Sequence, residues 1–129
     1  MALIPDENAF YRMFEGDPEV MLLIDPDTGD ILDANQAATE FYGYSRADLC
    51  SMRIQEINTL PPRRVADERQ RALHEECNYF VFPHRLANGD ERIVEVYSSP
   101  VVLSERHVLF SIVHDITNHN PNDLLVWRR

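Results

Sequence analysis

The sequence predicts a single α+β domain. Apolar, β-branched strand signals cluster at two places, over residues 20–24 and 31–34 and again over 79–86, 92–99 and 107–114. Between the clusters lies a run of helix starts and stops, from Asn35 to about residue 76. Within each cluster the connections are short and rich in turn residues, which imposes antiparallel pairing. A helix layer against one face of such a sheet is the α+β arrangement.

Residues 6–15 predict a short amphipathic helix: Asp6 caps it, Phe10, Met13 and Phe14 share a face, and Gly16 stops it. The strand Val20-Met21-Leu22-Leu23-Ile24 is too apolar to alternate, so both of its faces are expected to be covered. The turn Asp25 to Asp30 returns the chain through strand 31–34. Asn35 caps a helix that ends at Gly43, and Ser45-Arg46-Ala47-Asp48 opens another with a capping-box pattern. Residues 53–60 offer one weak apolar turn, at Ile54 and Ile57. Pro61-Pro62 begins the longest helix, to about residue 76. The strands 79–86 and 92–99 are joined by Ala87-Asn88-Gly89-Asp90. In the second of these, Val94, Val96 and Ser98 share one face, while Ile93, Glu95 and Tyr97 take the other. A polar turn at Ser104-Glu105-Arg106 leads to the last strand.

Size and charge narrow the function. A chain of 129 residues with 44% hydrophobic residues builds one core. No apolar run approaches a bilayer span, and the first residues lack a secretory pattern, so no membrane insertion and a cytoplasmic location are expected. The net charge of -10 disfavours nucleic acid and anionic lipid. The basic stretch from Arg63 to Arg71 is broken by Asp67 and Glu68 and reads as a solvated helix face. Cys50 and Cys77 have no metal-ligand spacing and read as inert, partly buried thiols. The sequence has no G-x-S-x-G elbow, glycine-rich phosphate loop or H-E-x-x-H, so the chain itself is not expected to be an enzyme.

Several segments, in order, carry a family resemblance. They are Asp25-Pro26-Asp27-Thr28-Gly29, Asn35-Gln36-Ala37-Ala38, Phe41 to Leu49, His84 to Gly89, Val94 to Pro100 and Asp115-Ile116-Thr117. Over about residues 15–117 the chain resembles a PAS domain. The resemblance implies a five-stranded antiparallel sheet of order 2-1-5-4-3, with helices on one face. It also implies sensory or regulatory input to an attached effector, such as a bacterial histidine kinase or diguanylate cyclase. Residues 1–16 are then a lead helix, 17–117 the PAS domain, and 118–129 a tail or linker. The family's usual helical continuation is replaced by a segment containing Pro121, which interrupts a continuous helix.

The resemblance leaves the cofactor unknown. Flavin-binding relatives carry a reactive cysteine where this chain has Ile54, and Cys50 lies about one turn earlier, so flavin is not expected. Haem-binding relatives use a histidine on the long helix; here His74 lies on its polar side and reads as a surface residue. Aligned through Gly89, His84 falls where flavin-binding relatives place a ligand-contacting polar side chain, while the matching Val94 and Val113 are apolar. That pattern suits a small apolar or metabolite ligand, or a filled core with His84 hydrogen-bonded to backbone. The pocket candidates are His84, Phe82, Val94, Val96, Ser98, Ser111, Val113, Phe41 and Asn35, with Asn35 also capping its helix. In relatives, the motif holding Asp115 and Thr117 links the last strand to a connector that carries signal onward, so these two are the candidate hinge.

Facing away from the pocket, Tyr97, Phe110 and Ile112 make an apolar surface that must be covered. A homodimer using this surface with Phe10, Met13 and Phe14 is expected; cover by the chain's own lead helix is the alternative. Two functions follow: a ligand-binding sensory module that relays to an effector or partner protein, or a ligand-free dimerisation or protein-interaction module.

Overall fold

The computed structural model describes residues 2–118. The elements are β1 (Ala2–Leu3), α1 (Glu7–Gly16), β2 (Val20–Ile24), β3 (Ile31–Ala34), α2 (Gln36–Tyr42), α3 (Arg46–Leu49), a 3-10 turn (Ile54–Glu56), α4 (Pro62–Leu73), β4 (Tyr79–Arg85), β5 (Glu91–Leu103) and β6 (Arg106–Asp115). The five antiparallel strands run β3-β2-β6-β5-β4, which is the expected order 2-1-5-4-3. Beyond that expectation, β1 adds a short parallel strand beside the far end of β5, Ala2 pairing with Val101.

Local chemistry sets the boundaries. Asp6, Asn35 and Ser45 each accept a backbone N–H from the first turn of the following helix. Gly43 ends α2 in the left-handed region, at φ 82°. The long helix stops at Leu73, short of the expected residue 76, with His74 exposed at its C-cap.

β5 runs four residues past the expected strand end, through Pro100. Ser98 N donates to Asn78 and Val102 O accepts from Ile4, so both face the same sheet edge. The two-residue period turns the Pro100 nitrogen to that edge as well, in the gap between β4 and β1, where no donor is needed. The hairpin to β6 then closes on Ser104 and Glu105, at φ 50° and 62°, both left-handed as a tight two-residue turn requires. Glu7 holds it, accepting from Ser104 N at 2.6 Å and Oγ at 2.8 Å.

The sheet has a core on each face. Leu22 and Ile24 join Val96, Val113 and residues of α2, α3 and α4 in the inner core. Met21 and Leu23 join Phe10 and Phe14 of α1 in the outer one. Both faces of β2 are therefore covered, as its unbroken apolar run predicts.

The outer core changes the picture of the expected dimer surface. Phe10 and Phe14 are buried within the chain, and their rings lie 5.4 and 6.5 Å from Phe110. The lead helix of the same chain covers this part of the sheet. Met13 and Tyr97 remain exposed, and Ile112 is half-buried. Cys50 is exposed rather than partly buried; Cys77 is half-buried. The expected tail lies outside the described residues from position 119 onward. Among the described residues, no helix is long and apolar enough to cross a membrane.

Candidate functional site

A cavity of about 40 Å³ lies between the inner sheet face and α4. That is room for a few water-sized groups, since one water needs roughly 10–15 Å³ by this measure. β4 contributes Phe80, Phe82 and His84, with Phe82 stacked 5.3 Å from Phe80 and 6.1 Å from His84. β5 and β6 contribute Val96, Ser98, Ser111 and Val113. The Ser98 and Ser111 hydroxyls bond to each other at 2.8 Å.

Six of the residues expected at the pocket are therefore brought together: His84, Phe82, Val96, Ser98, Ser111 and Val113. Three are not. Val94 is fully buried in the inner core but does not line the cavity. Phe41 packs edge-on against Tyr42, with ring centroids 4.8 Å apart. Asn35 works as a brace: its Oδ1 accepts from Met21 N and Ala38 N, both at 3.0 Å, and its Nδ2 donates to Glu19 O at 2.8 Å. A buried amide that joins β2 to the first turn of α2 is structural, because each of these bonds would otherwise leave a backbone group unpaired.

His84 is 2% exposed, and its Nδ1 lies 2.9 Å from the Tyr42 hydroxyl. Its ring partner is thus a side chain, not the backbone. Burial pushes its pKa down to about 3, so the ring is neutral at pH 7. The same burial raises the Tyr42 phenol. Asn58 lines the cavity beside it, 3% exposed, with its Oδ1 accepting from Leu60 N at 3.0 Å. No sequence signal marked Asn58, which sits in the weakly patterned segment before α4. Leu22, Ile24, Ile54, Val65, Ala72 and Leu109 complete the apolar wall.

Glu68 and Arg69 of α4 form the partly exposed mouth. Arg69 reaches the turn between β2 and β3, donating to Pro26 O at 3.3 Å and Asp27 O at 3.4 Å. Gly29 lies beneath it at φ 82°; a Cβ there would come within 2.3 Å of Gln55 Oε1 and 2.8 Å of Arg69 Nη1. The left-handed backbone favours glycine at this turn, while the ends of the flexible Gln55 and Arg69 side chains can give way to a Cβ.

The candidate hinge residues form a clamp at the exit of β6. Thr117 Oγ1 accepts from Ile93 N at 2.9 Å, and Thr117 N donates to Asp115 Oδ1 at 2.9 Å. Arg92 Nε and Nη2 donate to Asp115 Oδ2 at 2.9 and 2.6 Å. Partial burial pushes the Asp115 carboxyl up, but Thr117 and Arg92 more than offset this and hold it below its ordinary range. The clamp ties the end of β6 to the start of β5.

The sheet order, with α2, α3 and α4 on one face, defines one class of domain. The PAS domain profile matches residues 18–118, and the chain belongs to the PAS domain family. It is related to a signalling protein: it is 39% identical over 115 residues to the diguanylate cyclase DgcM of Escherichia coli K12, a match covering 86% of this chain. The chain spans 28% of the length of that relative.

Solved structures agree in fold. The PAS domain of a Desulfitobacterium hafniense protein superposes with a TM-score of 0.75 at 19% identity, over 81% of this chain and 98% of that one. The PAS domain of an HTR-like protein from Haloarcula marismortui gives 0.75 at 22% identity, over 85% and 91%.

Proposed function

We propose that this PAS domain binds a small molecule in the cavity beneath α4 and relays its occupancy to an attached effector through the Asp115–Thr117 clamp. The observation that carries this reading is continuity. Val113 lines the cavity, and Asp115, two residues along the same strand, is held in the clamp. A ligand that favours one arrangement of β5 and β6 shifts the population of clamp geometries. Relationship to DgcM supports a diguanylate cyclase as the effector. The chain itself supplies input rather than catalysis.

Ala72 lines the cavity from α4, so Ala72→Leu fills it and stands in for occupancy. Native-state amide hydrogen exchange on wild type and variant tests the relay. Exchange at Ile93, Ile116 and Thr117 is expected to slow relative to the slowest amides of the core. Clamp amides that merely track global stability would contradict the relay.

A second reading, a dimerisation module, is favoured by one observation. Met13 and Tyr97 are 40% and 43% exposed. Dimer contacts would use these two with the edge of Ile112, while Phe10, Phe14 and Phe110 serve the α1 contact beneath.

A further inference from the structure

The cavity contains two buried nitrogens, Asn58 Nδ2 and His84 Nε2, with no hydrogen-bond partner among the described residues. Leaving such a group unpaired costs roughly 1–3 kcal/mol. They are neighbours by construction. Asn58 and His84 are directly opposed in an isolated antiparallel bridge, flanked by Thr59 N to Pro83 O at 3.0 Å and Arg85 N to Ile57 O at 2.8 Å. The flanking bonds make 58 and 84 a non-hydrogen-bonded pair, the kind whose side chains lie closest, with Cβ atoms about 4.5–5.5 Å apart.

Both groups are held as donors. The Asn58 amide cannot usefully flip, because its Oδ1 already accepts from Leu60 N. Its Nδ2 carries only hydrogens to offer. For His84, the Tyr42 hydroxyl has the ring as its only hydrogen-bond partner among the described residues. If the phenol donates to Nδ1, the ring's remaining proton sits on Nε2 and one donor is left over. The reverse tautomer would strand both the phenolic hydrogen and the Nε2 lone pair. The first arrangement leaves fewer buried groups unpaired, so the ring proton is assigned to Nε2, on a residue that lines the cavity. Phe82 stacks on His84, and Phe80, Val65 and Leu22 add apolar surface to the same cavity.

We infer that the cavity recognises a small neutral carbonyl compound, a ketone or amide with a short apolar body, whose oxygen accepts from Asn58 Nδ2 and His84 Nε2 together. A carbonyl oxygen has two lone pairs for two N–H groups; the Ser98 and Ser111 hydroxyls are bonded to each other, and most of the remaining wall is apolar. A carboxylate fits less well: Arg69 at the mouth is turned to the Pro26 and Asp27 carbonyls and to Gln55, and Arg71 is paired with Glu68, so neither cation is offered to a buried anion. This inference rests on the cavity being a ligand site, as proposed above.

The whole chain, labelled with 15N, is titrated with four probes: 2-butanone, its hydrocarbon isostere 2-methyl-1-butene, sec-butylamine and propionate. The Asn58 side-chain NH2 and His84 Nε2 signals are followed. The ketone is expected to bind at least tenfold tighter than the alkene and the amine, and tighter than propionate, and to shift both signals. Asn58→Leu removes the Nδ2 donor at similar size, and is expected to lose that preference. Equal binding of alkene and ketone would overturn the donor pair while leaving a ligand site in place. Tighter binding of propionate would overturn neutrality. Failure of all four to move the cavity signals would overturn both the inference and the ligand-site reading.

Discussion

Burial fixes the charge of His84, and this makes stability depend on pH in a stated direction. In the unfolded chain a histidine titrates near 6.5, whereas in the fold His84 titrates near 3. Between those values the unfolded state binds a proton that the native state refuses. The stability from keeping this ring neutral is therefore fully present above about pH 6.5 and is lost as pH falls toward 3. The slope approaches roughly 1.4 kcal/mol per pH unit. Urea unfolding at pH 7 and pH 5 checks this against the double variant Tyr42→Phe/His84→Leu, which removes both partners of the bond. Its loss of stability between the two pH values is expected to be smaller than that of wild type by about 2 kcal/mol. An equal loss would mean that His84 is not the group that titrates. The carboxylates held below their ordinary range, Glu7, Asp25 and Asp115, are present in both proteins and cancel in the comparison. At this scale His84 was legible through the family resemblance, which aligns it through Gly89 with a ligand-contacting strand position. The sequence did not show Asn58, whose role arises only when the segment before α4 bridges to β4.

The lead helix shows how an element's role depends on what lies beneath it. The apolar spacing of Phe10, Met13 and Phe14 was legible, as was the unsatisfied outer face of β5 and β6. Spacing gives the direction of a helix face but not which chain's sheet it meets. In the structure Phe14 is fully buried over Phe110, and Met13 is left on the outer side. The two residues should therefore behave differently. Phe14→Ala is expected to cost roughly 3–5 kcal/mol in urea unfolding by opening a cavity under α1. Met13→Glu is expected to leave stability within about 0.5 kcal/mol, and to lower the mass by light scattering if the exposed side of α1 is a dimer contact. An unchanged mass would remove Met13 from any interface. The strand β1 illustrates a different limit. Two residues cannot display a period, and Ala2–Leu3 is a strand only because β5 continues past Pro100 and offers it an edge. Proline usually ends a strand pattern; here its nitrogen faces a gap, which only tertiary pairing reveals.

For the whole molecule, turns, caps and apolar runs specified the antiparallel hairpins, while the sheet order came from the PAS resemblance, because the helical stretch from Asn35 to about residue 76 leaves the pairing between the two strand clusters open. The cavity was less legible. Its β-strand wall follows from alternation, but its α4 wall and mouth do not. Glu68 and Arg69 belong to a stretch that looks like an ordinary solvated face, yet Arg69 turns inward to hold the loop over Gly29. Cavity, strands and clamp form one continuous path, and the central claim is that a small molecule fills the first of these. Native mass spectrometry tests it most directly, on the whole chain incubated with the small-molecule fraction of a cell extract and then buffer-exchanged. The account predicts one discrete small added mass on wild type and its absence on Ala72→Leu. A bare chain in both proteins, or the same added mass on both, would contradict it.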